Sequence, residues 1–317
     1  MSNTQKRFKK TILAIVVFFI LLNLFIINQA YHFTHFYEQG SVKTISEQTD
    51  GFWGQMKVAL FGLKLQKLYG STPDSPFVNV KLKTKEGLIL DAWYFKVPNA
   101  KGTIAIFHGH GSEKSANLSQ SDEFNEMGYS TFLVDFRAHG QSEGNTCTVG
   151  YRESEDVKLV YDYLKVNKET NVILYGISMG AATITRAVAE YNLKPTKIIL
   201  EMPFSSLPNT VEGKMRVTGV FAKPLAGLLT FWGGIINGFW AFDMKPNEYV
   251  KKITCPVLLQ WGKKDQGVTE AEINDLFKNI SSTKELVVYE KSGHQNLCEN
   301  EPDKWEENVG NFLDSIK

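Results

Sequence analysis

Asn171-Val172-Ile173-Leu174-Tyr175-Gly176-Ile177-Ser178-Met179-Gly180 is the stretch on which the reading of this chain turns. Its first half is a short apolar run of the kind that forms a strand buried on both faces. Its second half is a Gly-x-Ser-x-Gly, and Met179–Tyr191 is Ala-rich without a break, as a helix would be. A serine between a strand and a helix stands on a sharp, strained turn with its hydroxyl exposed. Glycines on either side let that turn pass close to neighbouring backbone. N–H groups at the start of the helix favour negative charge developing beside it. This context marks Ser178 as a nucleophile rather than a chance loop serine.

A serine hydroxyl needs a base, and the base needs an orienting acid. Of six histidines, His32 and His35 lie beside an N-terminal apolar segment, while His108, His110 and His139 all precede Ser178. Only His294 follows it, in Lys291-Ser292-Gly293-His294 just beyond an apolar run, and it is the expected general base. For the acid, Trp261-Gly262-Lys263-Lys264-Asp265 places a carboxylate in a loop leaving a strand. Glu201, at the end of another strand, is the alternative, because either loop can reach the histidine. Asp265 is preferred, since Glu201 runs straight into Met202-Pro203. An oxyanion hole is expected from the backbone N–H of Met179 and from that of His110, in the glycine-containing loop Phe107-His108-Gly109-His110-Gly111-Ser112. His108 and His139 are read as structural, fixing loops by hydrogen bonds.

Outward from this centre, strand and helix alternate. Phe77–Thr84 and Leu88–Val97 read as strands of a hairpin turned at Lys85-Glu86-Gly87. Thr103–His108, Phe132–Asp135, Val172–Tyr175, Ile198–Glu201, Val257–Trp261 and Leu286–Tyr289 read as buried strands. Helical spacing marks Asp156, Val157, Val160 and Leu164, and also Met179–Tyr191, Glu270–Ile280 and Trp305–Ile316. The expected fold is α/β, a mostly parallel eight-stranded sheet with helices on both faces. Chemistry in such sheets sits at the carboxyl ends of the strands. Residues 204–249 lack a strand pattern, and Leu225–Phe242 carries no charge. A second membrane span there would separate Ser178 from Asp265 and His294, so the segment is read as a small helical cap, in contact with the bilayer or simply packed on the body. Core residues are then 77–203 and 250–317.

These motifs together resemble the series found in the α/β-hydrolase superfamily. The resemblance is carried by His108-Gly109-His110-Gly111, Asp135-Phe136-Arg137-Ala138-His139-Gly140-Gln141-Ser142, Gly176–Gly180, Asp265 and Ser292-Gly293-His294. It runs from about Phe77 to the C-terminus and is nearest the esterase/lipase and prolyl-aminopeptidase-like serine hydrolases with a modest cap. The order Ser…Asp…His is the one this superfamily uses, and Asp265 stands in the G-x-x-D arrangement of many relatives. Ala138 departs from the pattern, where relatives often carry glycine. The resemblance implies hydrolysis of esters, thioesters or amides, with no cofactor.

Before this body, Lys6, Arg7, Lys9 and Lys10 precede an apolar run from Thr11 to Ile27 broken only by Asn23. Such a run spans roughly 26 Å as a helix, close to the hydrocarbon thickness of a bilayer. Residues 1–10 read as a cytoplasmic basic tail, 11–30 as a transmembrane signal anchor and 31–76 as a linker with a short helix around Gln55–Tyr69. Basic residues before the span put the catalytic part outside the cytoplasm. Tyr31, Phe33, Phe36 and Tyr37 occupy the place of interfacial aromatics, and a signal peptide cleaved after Ala30 is the rival reading.

A net charge of +1 without a basic stripe gives no support for a nucleic-acid partner. Three scattered cysteines make neither a disulfide framework nor a zinc site. If any two pair, Cys147 and Cys298 are expected to, on loops at the carboxyl edge, leaving Cys255 a buried free thiol; three unpaired thiols are the other expectation. The expected substrate is a small or lipid-like acyl compound. Phe221, Phe231, Trp232, Phe239, Trp240 and Phe242 of the cap either line an acyl pocket or pack the cap down. A peptidase, an acyltransferase and a non-catalytic binding protein stay open as alternatives to an esterase.

Overall fold

The computed structural model describes residues 3–217 and 223–315. Phe221 and Ile316 lie outside the described residues. The strands are β1 (Val78–Lys83), β2 (Ile89–Phe95), β3 (Thr103–Phe107), β4 (Ser130–Val134), β5 (Val172–Ile177), β6 (Lys197–Glu201), β7 (Val257–Gly262) and β8 (Lys284–Tyr289). They form one sheet in the order β1-β2-β4-β3-β5-β6-β7-β8. β2 runs antiparallel to both its neighbours, and every pair from β4 to β8 is parallel. All residues of β3, β4, β6 and β7 are buried, which is why apolar residues follow one another along these strands rather than alternating with polar ones.

The helices are α1 (Asn3–Thr34), α2 (Ile45–Gln48), α3 (Gly51–Phe61), α4 (Leu118–Glu126), α5 (Glu153–Val166), α6 (Met179–Tyr191), α7 (Leu207–Val217), α8 (Lys223–Ile236), α9 (Pro246–Tyr249), α10 (Glu270–Asn279), α11 (Leu297–Asn300) and α12 (Pro302–Asp314). On one face of the sheet, Phe124 of α4, Tyr175 of β5 and Trp305 of α12 stack edge to face with centroids 5.3–6.3 Å apart. α5 and α6 pack on each other. α4 carries a polar, weakly periodic sequence, LSQSDEFNE, which gives no helical signal; Phe124 is its one fully buried apolar side chain, with Leu118 half-buried against the core beside it.

α1 is the single helix among the described residues that is long and apolar enough to cross a membrane. Its described side chains are exposed up to Leu21 and again at Leu24 and Phe25, Leu22 and Asn23 are half-buried, and Ile26, Ala30, His32 and Thr34 are buried against the rest of the chain. The stretch read as a linker is therefore held down. Phe36 is buried, Tyr37 bridges Gln66, His35 bridges Thr146, and the buried Lys67 ammonium donates to Ser142 O at 3.0 Å. The short helix lies at Gly51–Phe61, earlier than its expected place, because Gly62 at φ 82° ends it. α7 and α8 lie in the segment between β6 and β7 that is expected to form a cap, and α8 packs against both α7 and α1.

Candidate active site

The turn between β5 and α6 holds Ser178 at φ 53°, ψ −111°, a backbone state L-residues rarely enter. Its amide donates to Glu201 O at 2.8 Å, which ties the turn to the end of β6. Both flanking glycines are required by contact. A Cβ on Gly180 would lie 2.1 Å from Phe107 O, and one on Gly176 would lie 2.6 Å from Ala181 N.

The loops after β7 and β8 are laced together. Lys264 N donates to Ser292 O at 2.9 Å, and Gly262 passes so near Gly293 O that a Cβ there would stand 2.3 Å away. This sets Asp265 beside His294. Asp265 Oδ2 lies 2.6 Å from His294 Nδ1, and His294 Nε2 lies 2.9 Å from Ser178 Oγ. Asp265 Oδ1 accepts the N–H groups of Gly267 (2.7 Å) and Val268 (2.9 Å), so the carboxylate is fixed through both oxygens. The aspartate side chain is fully buried, and the imidazole is partly open to the cavity. A neutral imidazole held with its proton on Nδ1 presents a bare Nε2 to the hydroxyl and is able to take that proton.

Glu201, the alternative acid, is directed elsewhere. Its Oε1 accepts from Trp305 Nε1 at 2.6 Å and Gln260 Nε2 at 3.1 Å inside the core, and burial pushes its carboxyl up to about 7. His108 Nε2 accepts from Phe136 N, and His139 Nε2 accepts from Gly111 N, each at 3.1 Å. Burial lowers both imidazoles to about 4, so they stay neutral and act as loop fasteners. The Asp135–Ser142 motif does similar work. Asp135 accepts Lys114 N (2.7 Å), Lys114 Nζ (2.5 Å) and Gln141 N (2.8 Å), while Ala138 sits at φ 67°, the left-handed region where glycine costs less.

A cavity of about 260 Å³ opens over Ser178 and is lined by Gly109, His110, Met179 and His294 among others. Met179 points its side chain into the core, 3.6 Å from Cys147 Sγ, so its backbone is what faces the cavity. The His110 imidazole stacks on Phe33 of α1, with centroids 4.8 Å apart, and its Nε2 lies 3.2 Å from Phe33 O. Phe36 packs on His139 at 4.5 Å. Two of the aromatics expected at a membrane interface thus buttress the loop expected to stabilise an oxyanion. Nothing in the local sequence signals this, because the contact joins segments more than seventy positions apart.

All three cysteines are free thiols. Cys147 is buried beneath Met179, Cys298 is buried in α11, and Cys255 is only half-buried, against the expectation of a buried thiol. Burial pushes the Cys255 and Cys298 thiols up to about 12, so neither competes as a nucleophile.

Residues 98–233 match the family described as serine aminopeptidase, S33, a region that contains Ser178 but stops before Asp265 and His294. The uncharacterized Bacillus subtilis protein YqkD is 25% identical over 73% of this chain and 77% of its own length. Caffeoylshikimate esterase from Arabidopsis thaliana is 27% identical, covering 80% of this chain and 86% of that one. Among solved structures, the Pyrococcus furiosus esterase Pf2001 superposes with a TM-score of 0.66 at 24% identity, over 79% of this chain and 98% of that one.

Proposed function

We propose that this chain, whose fold is that of the α/β-hydrolases, is a membrane-anchored serine hydrolase that cleaves carboxylic esters through an acyl-enzyme. The observation that carries this reading is the continuous hydrogen-bond chain Ser178–His294–Asp265 at the wall of a cavity. His294 Nε2 takes the proton of Ser178 as Oγ bonds to the substrate carbonyl carbon, and Asp265 stabilises the imidazolium. The N–H groups of Met179 and His110 receive the oxyanion. Collapse breaks the bond to the leaving alcohol, which takes the proton from Nε2. Water then repeats the sequence and frees the acid.

Charge in the cavity favours an ester over an amino-terminal peptide. An aminopeptidase has to pair the substrate ammonium with a carboxylate, yet no aspartate or glutamate is among the described residues lining this cavity, and Lys214 lines it instead. The names of the esterase relatives point the same way. α1 supplies the anchor, with its basic start in the cytoplasm and the catalytic body outside.

A fluorophosphonate probe and p-nitrophenyl esters test the reading. The full-length protein is expected to label at Ser178 and to turn over the esters but not aminoacyl p-nitroanilides. Ser178→Ala is expected to lose both labelling and turnover by several orders of magnitude while staying folded. A folded Ser178→Ala protein with near-normal turnover refutes the assignment.

A further inference from the structure

A second cavity, about 220 Å³, adjoins the one over Ser178 and shares Phe33, Val149 and Lys214 with it. Its walls come from Ala30 and Phe33 of the anchor helix α1, Val211 of α7, Leu229 and Gly233 of α8 and the loop that holds Val149, with Phe239 closing one side. The mechanism above leaves this space unused. An apolar cavity of 150 Å³ holds a benzene ring, so 220 Å³ takes on the order of nine carbons.

Its position relative to the membrane follows from α1. Leu21 and Leu24 are 60% and 58% exposed, and Ile26 is 1% exposed, so the helix leaves the lipid near Phe25. Phe33 lies eight residues on, about 12 Å along the axis. α3 marks the same level. None of its residues is buried, Phe52, Trp53, Leu60 and Phe61 are all more than half exposed, and it is tied to α1 by Asn28 Nδ2 to Phe61 O (2.8 Å) and Gln29 Nε2 to Ala59 O (3.0 Å). A short helix that exposes this much apolar surface beside a membrane span, with Gln55 and Lys57 as its polar residues, fits the membrane interface. Asn23, the one polar interruption of the apolar run, accepts from Trp232 Nε1 of α8 at 2.8 Å, so the cap too touches α1 at membrane depth.

We propose that this second cavity is the acyl-chain site of the proposed hydrolase and that the membrane anchor forms one of its walls. The substrate is then a single-chain amphiphile, an ester of one medium-length acyl chain with a polar head, taken from the bilayer. The chain lies between α1, α7 and α8, and Phe33 stands where the two cavities meet, beside the loop of His110. This inference rests on the reading of Ser178 as nucleophile. The anchor is thereby part of the specificity of the site as well as its tether.

Gly233 offers a clean test, because a Cβ there meets no atom within 4 Å and α8 has no positive φ at that position. Gly233→Leu fills the cavity without a backbone clash and replaces a helix-weakening residue. Ala30→Val narrows the same space from the anchor side. Gly227→Leu, also on α8 with open space around its Cβ but away from the cavity, is the control. Full-length protein in phosphatidylcholine nanodiscs is assayed on p-nitrophenyl acetate and p-nitrophenyl decanoate, with fluorophosphonate labelling as the check on folding. Each bound methylene raises kcat/KM roughly fourfold. The decanoate-to-acetate ratio of kcat/KM is therefore expected to fall at least tenfold in Gly233→Leu and severalfold in Ala30→Val, and to hold in Gly227→Leu. An unchanged ratio in a labelling-competent Gly233→Leu protein overturns the acyl site. A fall in Gly233→Leu with none in Ala30→Val overturns the role of the anchor. If the wild-type protein cleaves neither ester, it is the hydrolase reading that fails.

Discussion

Replacing Asp265 by asparagine exchanges one oxygen of a carboxylate that is committed on both sides. Oδ1 accepts two backbone N–H groups, from Gly267 and Val268. An asparagine in that site has to turn its own oxygen to those two donors, since an NH2 group there would face N–H against N–H. Its amide nitrogen then faces His294 Nδ1 across the 2.6 Å contact. Nδ1 becomes the acceptor, the imidazole proton moves to Nε2, and Nε2 points that proton at Ser178 Oγ 2.9 Å away. The base is lost by tautomer while every heavy atom stays in place. The expected loss is about 10⁴ in kcat, or about 5.5 kcal/mol of transition-state stabilisation. Stability falls far less, because the two N–H bonds survive and one charge-assisted bond, worth about 1.5–3 kcal/mol, is weakened. The assay is p-nitrophenyl butyrate turnover and the second-order rate of fluorophosphonate labelling, alongside a thermal melt. A folded Asp265→Asn protein within tenfold of wild type on both rates refutes the geometry argument. So does a Glu201→Gln variant that proves the more damaging of the two.

Glu201→Gln is expected to keep activity and to alter the pH dependence of stability. The carboxyl titrates at about 7 when folded against 4.5 when free, so wild type loses about 3 kcal/mol as pH rises through that window, and a melting difference between variant and wild type that stays flat from pH 4.5 to 7 contradicts this. Gly180→Ala brings a Cβ within 2.1 Å of Phe107 O, and a loss of about 3 kcal/mol together with probe labelling is expected; a soluble, fully labelled protein argues against the strained turn. A C-terminal alkaline phosphatase fusion is expected to be active and to stay in the membrane after carbonate washing, whereas a released form beginning near Tyr31 supports a cleaved signal.

By itself the sequence carried everything written in local pattern. Eight apolar runs of strand length, the unbroken Ala-rich helix after Ser178, the glycines its turn demands and a single histidine downstream are all encoded within a few residues of where they act. Their chain order then leaves few ways to assemble a parallel sheet. Tertiary structure decided what depends on distant segments meeting. That Asp265 faces His294 while Glu201 turns to Trp305 follows from the crossing of two loops, where local sequence offered only a preference, the Met202-Pro203 that follows Glu201. The same holds for Phe33 and Phe36, which sit in an aromatic cluster that periodicity assigns to a membrane interface, yet close on His110 and His139. Asn23 reads as a flaw in an apolar run until Trp232 arrives from two hundred residues away to meet it. Hydrophobic patterning fixes which face of an element is apolar, and only the packing of the whole chain fixes what covers that face.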